Sequence, residues 1–330
     1  MAGSGWPCHP GGGSGGSAPA RASATLDAPP GLAHPACVSS TATPQRIFLG
    51  ILFMITAGLL FPVMGGFAKL LGADYNSLQI SWARSFGHVL FLMALFMPRM
   101  GWSLFKTRRP GLQMARSSLL FMSNLCFFYA IIFIPLAKAA AISLAAPLIV
   151  ALLAWPMLGE RTTRGRVVAL MVGFVGVLVV IRPGGELFHW ASLLILISAT
   201  CYGVYQIVTR RVSGTDPPET SALYSGVVGG IGMLVVLPFV GQIPASLLDL
   251  GLFIGVGVLG ATGHYFVARA FGYAPANIVS PFQYFQLLGS VAVGWWLFTE
   301  FPDTTTWIGA AVIVGAGLYI GWSQSRRRSV

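Results

Sequence analysis

Charge is scarce in this chain. Only 9% of its 330 residues are Asp, Glu, Lys or Arg, against about 25% in an ordinary soluble domain. Acids are the rarest: there are 9, each in a terminal segment, in a polar link or at the end of an apolar run. No such run therefore holds a carboxylate in its middle. Four cysteines, Cys8, Cys37, Cys126 and Cys201, are too few and too scattered for a disulfide framework or a zinc site. Neither a metal nor another cofactor is expected. Long hydrophilic stretches are also missing beyond Arg46, which excludes a large extramembrane domain.

Apolar sequence is what the chain has instead, at 55% hydrophobic residues. The expected class is an all-α polytopic membrane protein. Residues 1–45, "MAGSGWPCHPGGGSGGSAPARASATLDAPPGLAHPACVSSTATPQ", are rich in Gly, Ser, Ala and Pro and read as a disordered tail. They contain no basic segment followed by an apolar stretch, so they do not read as a cleavable signal.

Ten apolar runs of membrane-spanning length follow, at about 47–71, 78–97, 114–134, 138–158, 164–181, 188–209, 220–240, 247–271, 276–298 and 306–323. With the N-terminus placed in the cytoplasm, Arg99, Lys106, Arg108, Arg109, Arg116, Arg161, Arg164, Arg166, Arg210, Arg211, Arg269 and the "RRR" at 326–328 all fall inside. Outside remain Lys138 and Arg182, with Lys69 near that end of the first span. This bias predicts a multi-pass protein of the cytoplasmic (inner) membrane with both termini inside. It also accounts for the net charge of +11 without nucleic acid as a partner.

An internal repeat emerges at an offset of 140 residues. The shift sets "LLAWPMLGE" (152–160) against "VAVGWWLFTE" (291–300), pairing Trp155 with Trp295 and Glu160 with Glu300; it also pairs Ser81 with Ser221 and Ser85 with Ser225. Two halves of five helices result, and because five is odd the second must be inverted. Inverted repeats point to alternating access around a site near the midplane. The predicted organisation is a tail at 1–45, repeats at 46–184 and 185–323, and a basic cytoplasmic tail at 324–330.

The segments "AAPLIVALLAWPMLGERT" and "PFQYFQLLGSVAVGWWLFTEFPD" each close an apolar fourth helix on a glutamate; the Gly-rich fifth helices "GFVGVLVVIRPG" and "GAAVIVGAGLYIGW" follow. In this the chain resembles the EamA family of the drug/metabolite transporter superfamily over about 47–323. The resemblance implies ten helices, cytoplasmic termini and a central cavity. "GHYFVARAFGYAPANIVSPFQYFQLLGS" is similar to family members taken to move riboflavin or S-adenosylmethionine. One departure stands out: Pro147 of the first half pairs with Leu287, while Pro281 lies earlier.

Polar groups within spans are candidates for a solute site, with interhelical hydrogen bonding as the competing reading. Arg84 lies six residues into the second span and His88 one turn deeper on the same face. Whether they face a solute or a neighbouring helix is left open by the sequence. His264 pairs with Asn124 at the 140 offset, as a site on a pseudo-two-fold axis requires. Tyr202, Tyr205, Tyr265 and Tyr284 are candidates to stack on a ring-bearing solute, with Gln206, Gln283 and Gln286 as hydrogen-bonding partners; an interfacial belt or plain packing is the alternative for each. Gln283, Tyr284 and Gln286 are so close in sequence that at most two are expected to line one cavity. Pro62, Pro147 and Pro281 are expected to kink spans one, four and nine, and Glu160 and Glu300 to cap loops or gate. Lys69 and Arg269 are expected to reach the membrane interfaces. The "GVGVLG" at 255–260 matches a dinucleotide fingerprint, but it lies within an apolar run, where its glycines permit close helix contact instead.

The function expected is secondary transport of a small metabolite by alternating access, the solute ring-bearing, neutral or anionic, and riboflavin-like. Export of amino acids, drugs or other metabolites within the same family is the alternative. A membrane-embedded transferase is a lesser one, since no acid, base or metal cluster appears in the links. The partners expected are the solute and the bilayer, with the chain as a monomer or homodimer.

Overall fold

The computed structural model describes residues 44–158, 164–183, 188–212, 215–273 and 280–328, and among these no strand is present. The tail expected over 1–45 lies outside them up to residue 43, as do Glu160 and Arg161. Helix α1 spans Pro44–Leu71, α2 Ser77–Met100, α3 Pro110–Ile131, α4 Leu136–Ser143, α5 Ala146–Leu158, α6 Arg164–Ile181 and α7 Ala191–Val212. Then come α8 at Pro218–Val227, α9 at Leu237–Val240, α10 at Leu247–Tyr273, α11 at Phe285–Phe298 and α12 at Thr304–Arg328. Five of them, α1, α2, α3, α7 and α10, are long and apolar enough to cross a bilayer, and shorter apolar helices lie at Leu136–Val150, Val167–Ile181 and Thr304–Ile320. The last helix continues through Arg328, so the basic segment expected as a tail from 324 extends that helix.

Three of the ten expected spans are interrupted. In the fourth, α4 stops at Ser143 and α5 starts at Ala146. Pro147 supplies the reason: it has no N–H, and its ring clashes with the carbonyl four residues earlier, that of Ser143. In the seventh, a π turn at Val228–Gly232 and a 3-10 turn at Met233–Val235 separate α8 from α9. The Gly230 carbonyl accepts a hydrogen bond from the Trp82 indole there at 3.1 Å. In the ninth, a 3-10 turn at Ser280–Tyr284, which contains Pro281, precedes α11. At Pro62 the helix is not interrupted, and α1 runs on through it. The Pro62 ring and the Gly58 carbonyl both press on Gly289 of α11, where a Cβ would stand 2.9 Å from the ring.

Helix packing follows the repeat. Moving each element by 140 residues exchanges the α1–α10 contact with α7–α3, the α1–α11 contact with α7–α5, and the α2–α10 contact with α8–α3; α2–α8 and α6–α12 map onto themselves. These are the main packed pairs of the described residues, and they define a pseudo-two-fold arrangement. Glycines set the self-mapping and crossing contacts. A Cβ on Gly257 would stand 2.8 Å from the Gly87 Cα, and one on Gly176 3.0 Å from the Gly309 carbonyl. The "GVGVLG" glycines thus lie inside α10 and serve helix contact.

The links are tied in pairs that the same offset relates. At one end the Tyr75 hydroxyl donates to Asp249 Oδ2 at 2.9 Å and accepts from the Ala245 N–H at 2.8 Å, while Gln79 exchanges two hydrogen bonds with the Gln242 backbone. At the other end Asp216 accepts from the Arg108 N–H at 3.0 Å, from Gln113 Nε2 at 2.9 Å and from the Thr107 hydroxyl. Partial burial pushes the Asp216 carboxyl up, but those donors and the Arg108 charge together hold it below the ordinary carboxylate range.

Candidate functional site

A cavity of about 120 Å³ lies where the two halves meet, room for several waters or part of a small solute. Its walls come from α1, α3, the α4–α5 break, α7, α10 and the start of span nine. Six pairs of lining residues stand 140 positions apart: Gly58 and Ser198, Asn124 and His264, Phe127 and Val267, Ser143 and Gln283, Leu144 and Tyr284, Ala146 and Gln286. The cavity is therefore centred on the pseudo-two-fold relation. Its two sides are chemically unequal, for the first half offers Ser143, Leu144 and Ala146 where the second offers Gln283, Tyr284 and Gln286.

Of the residues predicted for binding, Asn124, Tyr202, Gln206, His264, Gln283 and Tyr284 border this cavity, as do Pro147 and Gln286. All three of Gln283, Tyr284 and Gln286 line it, against the expectation of two at most. The limit assumed one continuous α-helix; the change from a 3-10 turn to α-helix at Tyr284 lets successive side chains share a side. Gly317 of α12 leaves the room that the Tyr284 hydroxyl occupies. Asn124 donates to its own helix, at the Leu120 carbonyl 2.7 Å away. Ser123 and Ser198 bind each other's carbonyls at 2.9 and 2.7 Å, joining α3 to α7 beside the cavity. Gln206 Nε2 is buried without a partner.

Arg84, His88 and Tyr265 do not line the cavity. Tyr265 turns away and packs on Phe96 at 5.3 Å and near Arg269, in a separate apolar cluster. Tyr205 is also withdrawn, its hydroxyl 3.4 Å from Ser225 Oγ. Arg269, expected at an interface, donates to the Tyr273 hydroxyl at 2.8 Å. Arg84 and His88 sit behind His264, fully buried. The His88 Nε2 lies 2.9 Å from the Ala222 carbonyl, which can only accept, so this nitrogen carries the proton. The ring centroids of His88 and His264 are 6.0 Å apart, and the His264 ring also rests on Phe61 at 5.1 Å.

Arg116 is the residue that sequence reasoning missed. Placed among the charges of a cytoplasmic link, it is instead 2% exposed within α3. Its guanidinium donates to the Ser221 carbonyl and, at 2.9 Å, to Ser225 Oγ, and it lies 5.3 Å over the Tyr205 ring. Pro110 was the available signal: at the first helical position it starts α3 six residues before Arg116.

Of the two glutamates expected to cap loops or gate, Glu300 can be placed. Thr299 ends α11 in the left-handed conformation, φ 55°, and Glu300 follows directly. Its carboxylate accepts from Lys69 Nζ at 2.7 and 2.8 Å and from the Leu136 N–H at 3.3 Å, at the start of α4. Lys69 also donates to the Ile134 carbonyl at 3.1 Å, so its ammonium is held by an ion pair and a carbonyl together. Glu300 thus ties α1, α4 and α11 together.

Two interrelated helical halves around a largely apolar cavity that carries a few polar side chains define a polytopic carrier of small solutes. The family follows from comparison with known proteins: the EamA-like transporter family matches residues 48–182 and again 189–322, and the chain belongs to it. It is a multi-pass membrane transporter of small metabolites, not an enzyme. The chain is 29% identical over 293 residues to a riboflavin transporter of Rhizobium johnstonii, covering 86% of this chain and 94% of that protein. It is 28% identical over 259 residues to an S-adenosylmethionine uptake transporter of Rickettsia conorii, covering 78% and 87%. It is 30% identical over 275 residues to a pseudopaline exporter of Pseudomonas aeruginosa, covering 81% and 94%. One solved structure aligns with a TM-score of 0.58 at 19% identity, over 84% of this chain and 98% of that one, a likeness of fold alone.

Proposed function

We propose that the chain moves a ring-bearing, neutral or anionic metabolite across the cytoplasmic membrane by alternating access. Its termini are then both cytoplasmic, its repeats occupy 46–184 and 185–323, and one chain completes the site, as monomer or homodimer. The observation that supports this is the lining itself: Tyr202, Tyr284 and His264 offer ring faces, Asn124, Gln206, Gln283 and Gln286 offer amides, and no lining residue is acidic. Arg84 and Arg116 stand close behind. Such a site disfavours a cation and orients a planar solute through a few polar contacts. Among the relatives' solutes, riboflavin fits this description better than S-adenosylmethionine. With no carboxylate on the lining, the solute's own gradient or exchange is the driving force.

Purified protein in liposomes loaded with unlabelled riboflavin should accumulate labelled riboflavin by counterflow, unaffected by an imposed pH gradient. Counterflow with S-adenosylmethionine alone would overturn the choice of solute, and chemical conversion of the solute would overturn the carrier.

A further inference from the structure

Arg84 is 1% exposed within α2, and its Nε and Nη2 are both buried without a hydrogen-bond partner. Arg116, equally deep, is better supplied: its Nη1 and Nη2 meet a carbonyl and two hydroxyls and its guanidinium lies over an aromatic ring, so that its Nε alone lacks a partner. No ion pair among the described residues reaches Arg84. The sequence offers it no acid in mid-span either, because all 9 lie in terminal segments, links or span ends. A guanidinium sealed in a protein interior without a counter-charge is strongly unfavourable, so this one calls for an anion from elsewhere.

The surroundings of Arg84 say where that anion would come from. A Cβ on Gly260 of α10 would stand 3.4 Å from Arg84 Nε and 3.1 Å from Met64 Sδ. Met64 lines the solute cavity, and so does His264, one helical turn along α10 from Gly260. Two cavity-lining side chains, a flexible thioether and an imidazole, therefore stand beside the position that the guanidinium occupies. The missing side chain at 260 leaves the gap between them. Methionine, with three rotatable bonds, is the side chain most easily displaced from such a position.

We propose that Arg84 recognises an anionic group on the transported molecule: a carboxylate or phosphate on a ring-bearing metabolite pairs with Arg84 beside Gly260 when Met64 swings aside. The planar guanidinium fork matches either anion through two parallel hydrogen bonds. This inference rests on the carrier reading above and narrows its solute from neutral or anionic to anionic.

The test uses full-length protein in detergent and matched probes: riboflavin against flavin mononucleotide, indoleacetamide against indoleacetate, and the acyclic anions glutarate and inorganic phosphate. Binding is read by thermal shift and titration calorimetry. Wild type should bind the anionic member of a pair at least about tenfold more tightly. Arg84→Met should abolish that preference yet melt at or above the wild-type temperature, since an uncompensated buried charge has been removed. Gly260→Ala, which crowds the gap, should weaken the preference and serves where Arg84→Met does not fold. Equal binding of both members by wild type, or a preference retained in Arg84→Met, would overturn the subsite. Ring-bearing solutes bound regardless of charge would sink the subsite and leave the carrier reading intact. Arg84-dependent binding of acyclic anions alone would keep the subsite and remove the ring-bearing solute.

Discussion

Asn124 on α3 and His264 on α10 stand 140 positions apart in the chain and border the same cavity. They are counterparts in two inverted halves, yet one is an amide bonded to its own helix and the other an imidazole tilted against Phe61 and His88. The repeat fixes where a polar group stands, and divergence decides which.

His264 should therefore matter more than its counterpart. His264→Ala removes the ring that divides the cavity from the Arg84 layer, and transport should fall by about tenfold or more; Asn124→Ala should cost only a few-fold. Uptake into liposomes, with protein recovery as the control for insertion, measures both. Equal losses in the two variants would contradict the asymmetry.

The Lys69–Glu300 pair, with side chains 10% and 28% exposed, ties α1 to the residues that follow α11. Glu300→Gln removes the counter-charge of Lys69 while keeping one oxygen that can accept from it, and should lower thermal stability. In a double-mutant cycle with Lys69→Met, the coupling should come to about 1 kcal/mol, the upper part of the range for partly exposed pairs. A coupling near zero would mean that the pair does not hold α1 to α11.

Asp216 links the α2–α3 and α7–α8 connections, and its carboxyl is held below the ordinary value of about 3.9. Its contribution to stability is complete above that value and disappears as pH falls through the lowered native one. Asp216→Asn should melt about 2 °C below wild type between pH 7 and 5, and the gap should close as pH drops below about 4. A gap undiminished at pH 3 would show that the carboxylate charge is not its origin.

Gly257 has almost no room beside Gly87, whereas a Cβ on Gly251 of the same helix would meet nothing within 4 Å. Gly257→Val should abolish folded protein by forcing α2 and α10 apart, and Gly251→Ala should express like wild type. Monodispersity in detergent separates the two outcomes.

The helical class, the ten apolar segments and the two-fold repeat were legible in the sequence because each depends on a linear property: run length, scarcity of charge, or a constant offset. The same offset singled out Asn124 and His264 as partners, and both reached the cavity. Side-chain direction was not legible. Tyr265 follows His264 in sequence but lies about 100° around the helix, on another face, and packs on Phe96. Gln283, Tyr284 and Gln286 share one wall through a change of helix type that periodicity alone does not reveal.

What the sequence determined by itself is the membrane fold and its repeat, since burial in lipid leaves apolar helices as the form this composition takes. Only the tertiary structure decided the fate of the charges. Arg84 and Arg116 look alike as isolated basic residues, and packing gave Arg116 a carbonyl, hydroxyls and a tyrosine ring while leaving Arg84 Nε and Nη2 unpaired beside Gly260. A buried charge is judged by its neighbours in space, and those come from α7, α8 and α10, residues distant in the chain from either arginine.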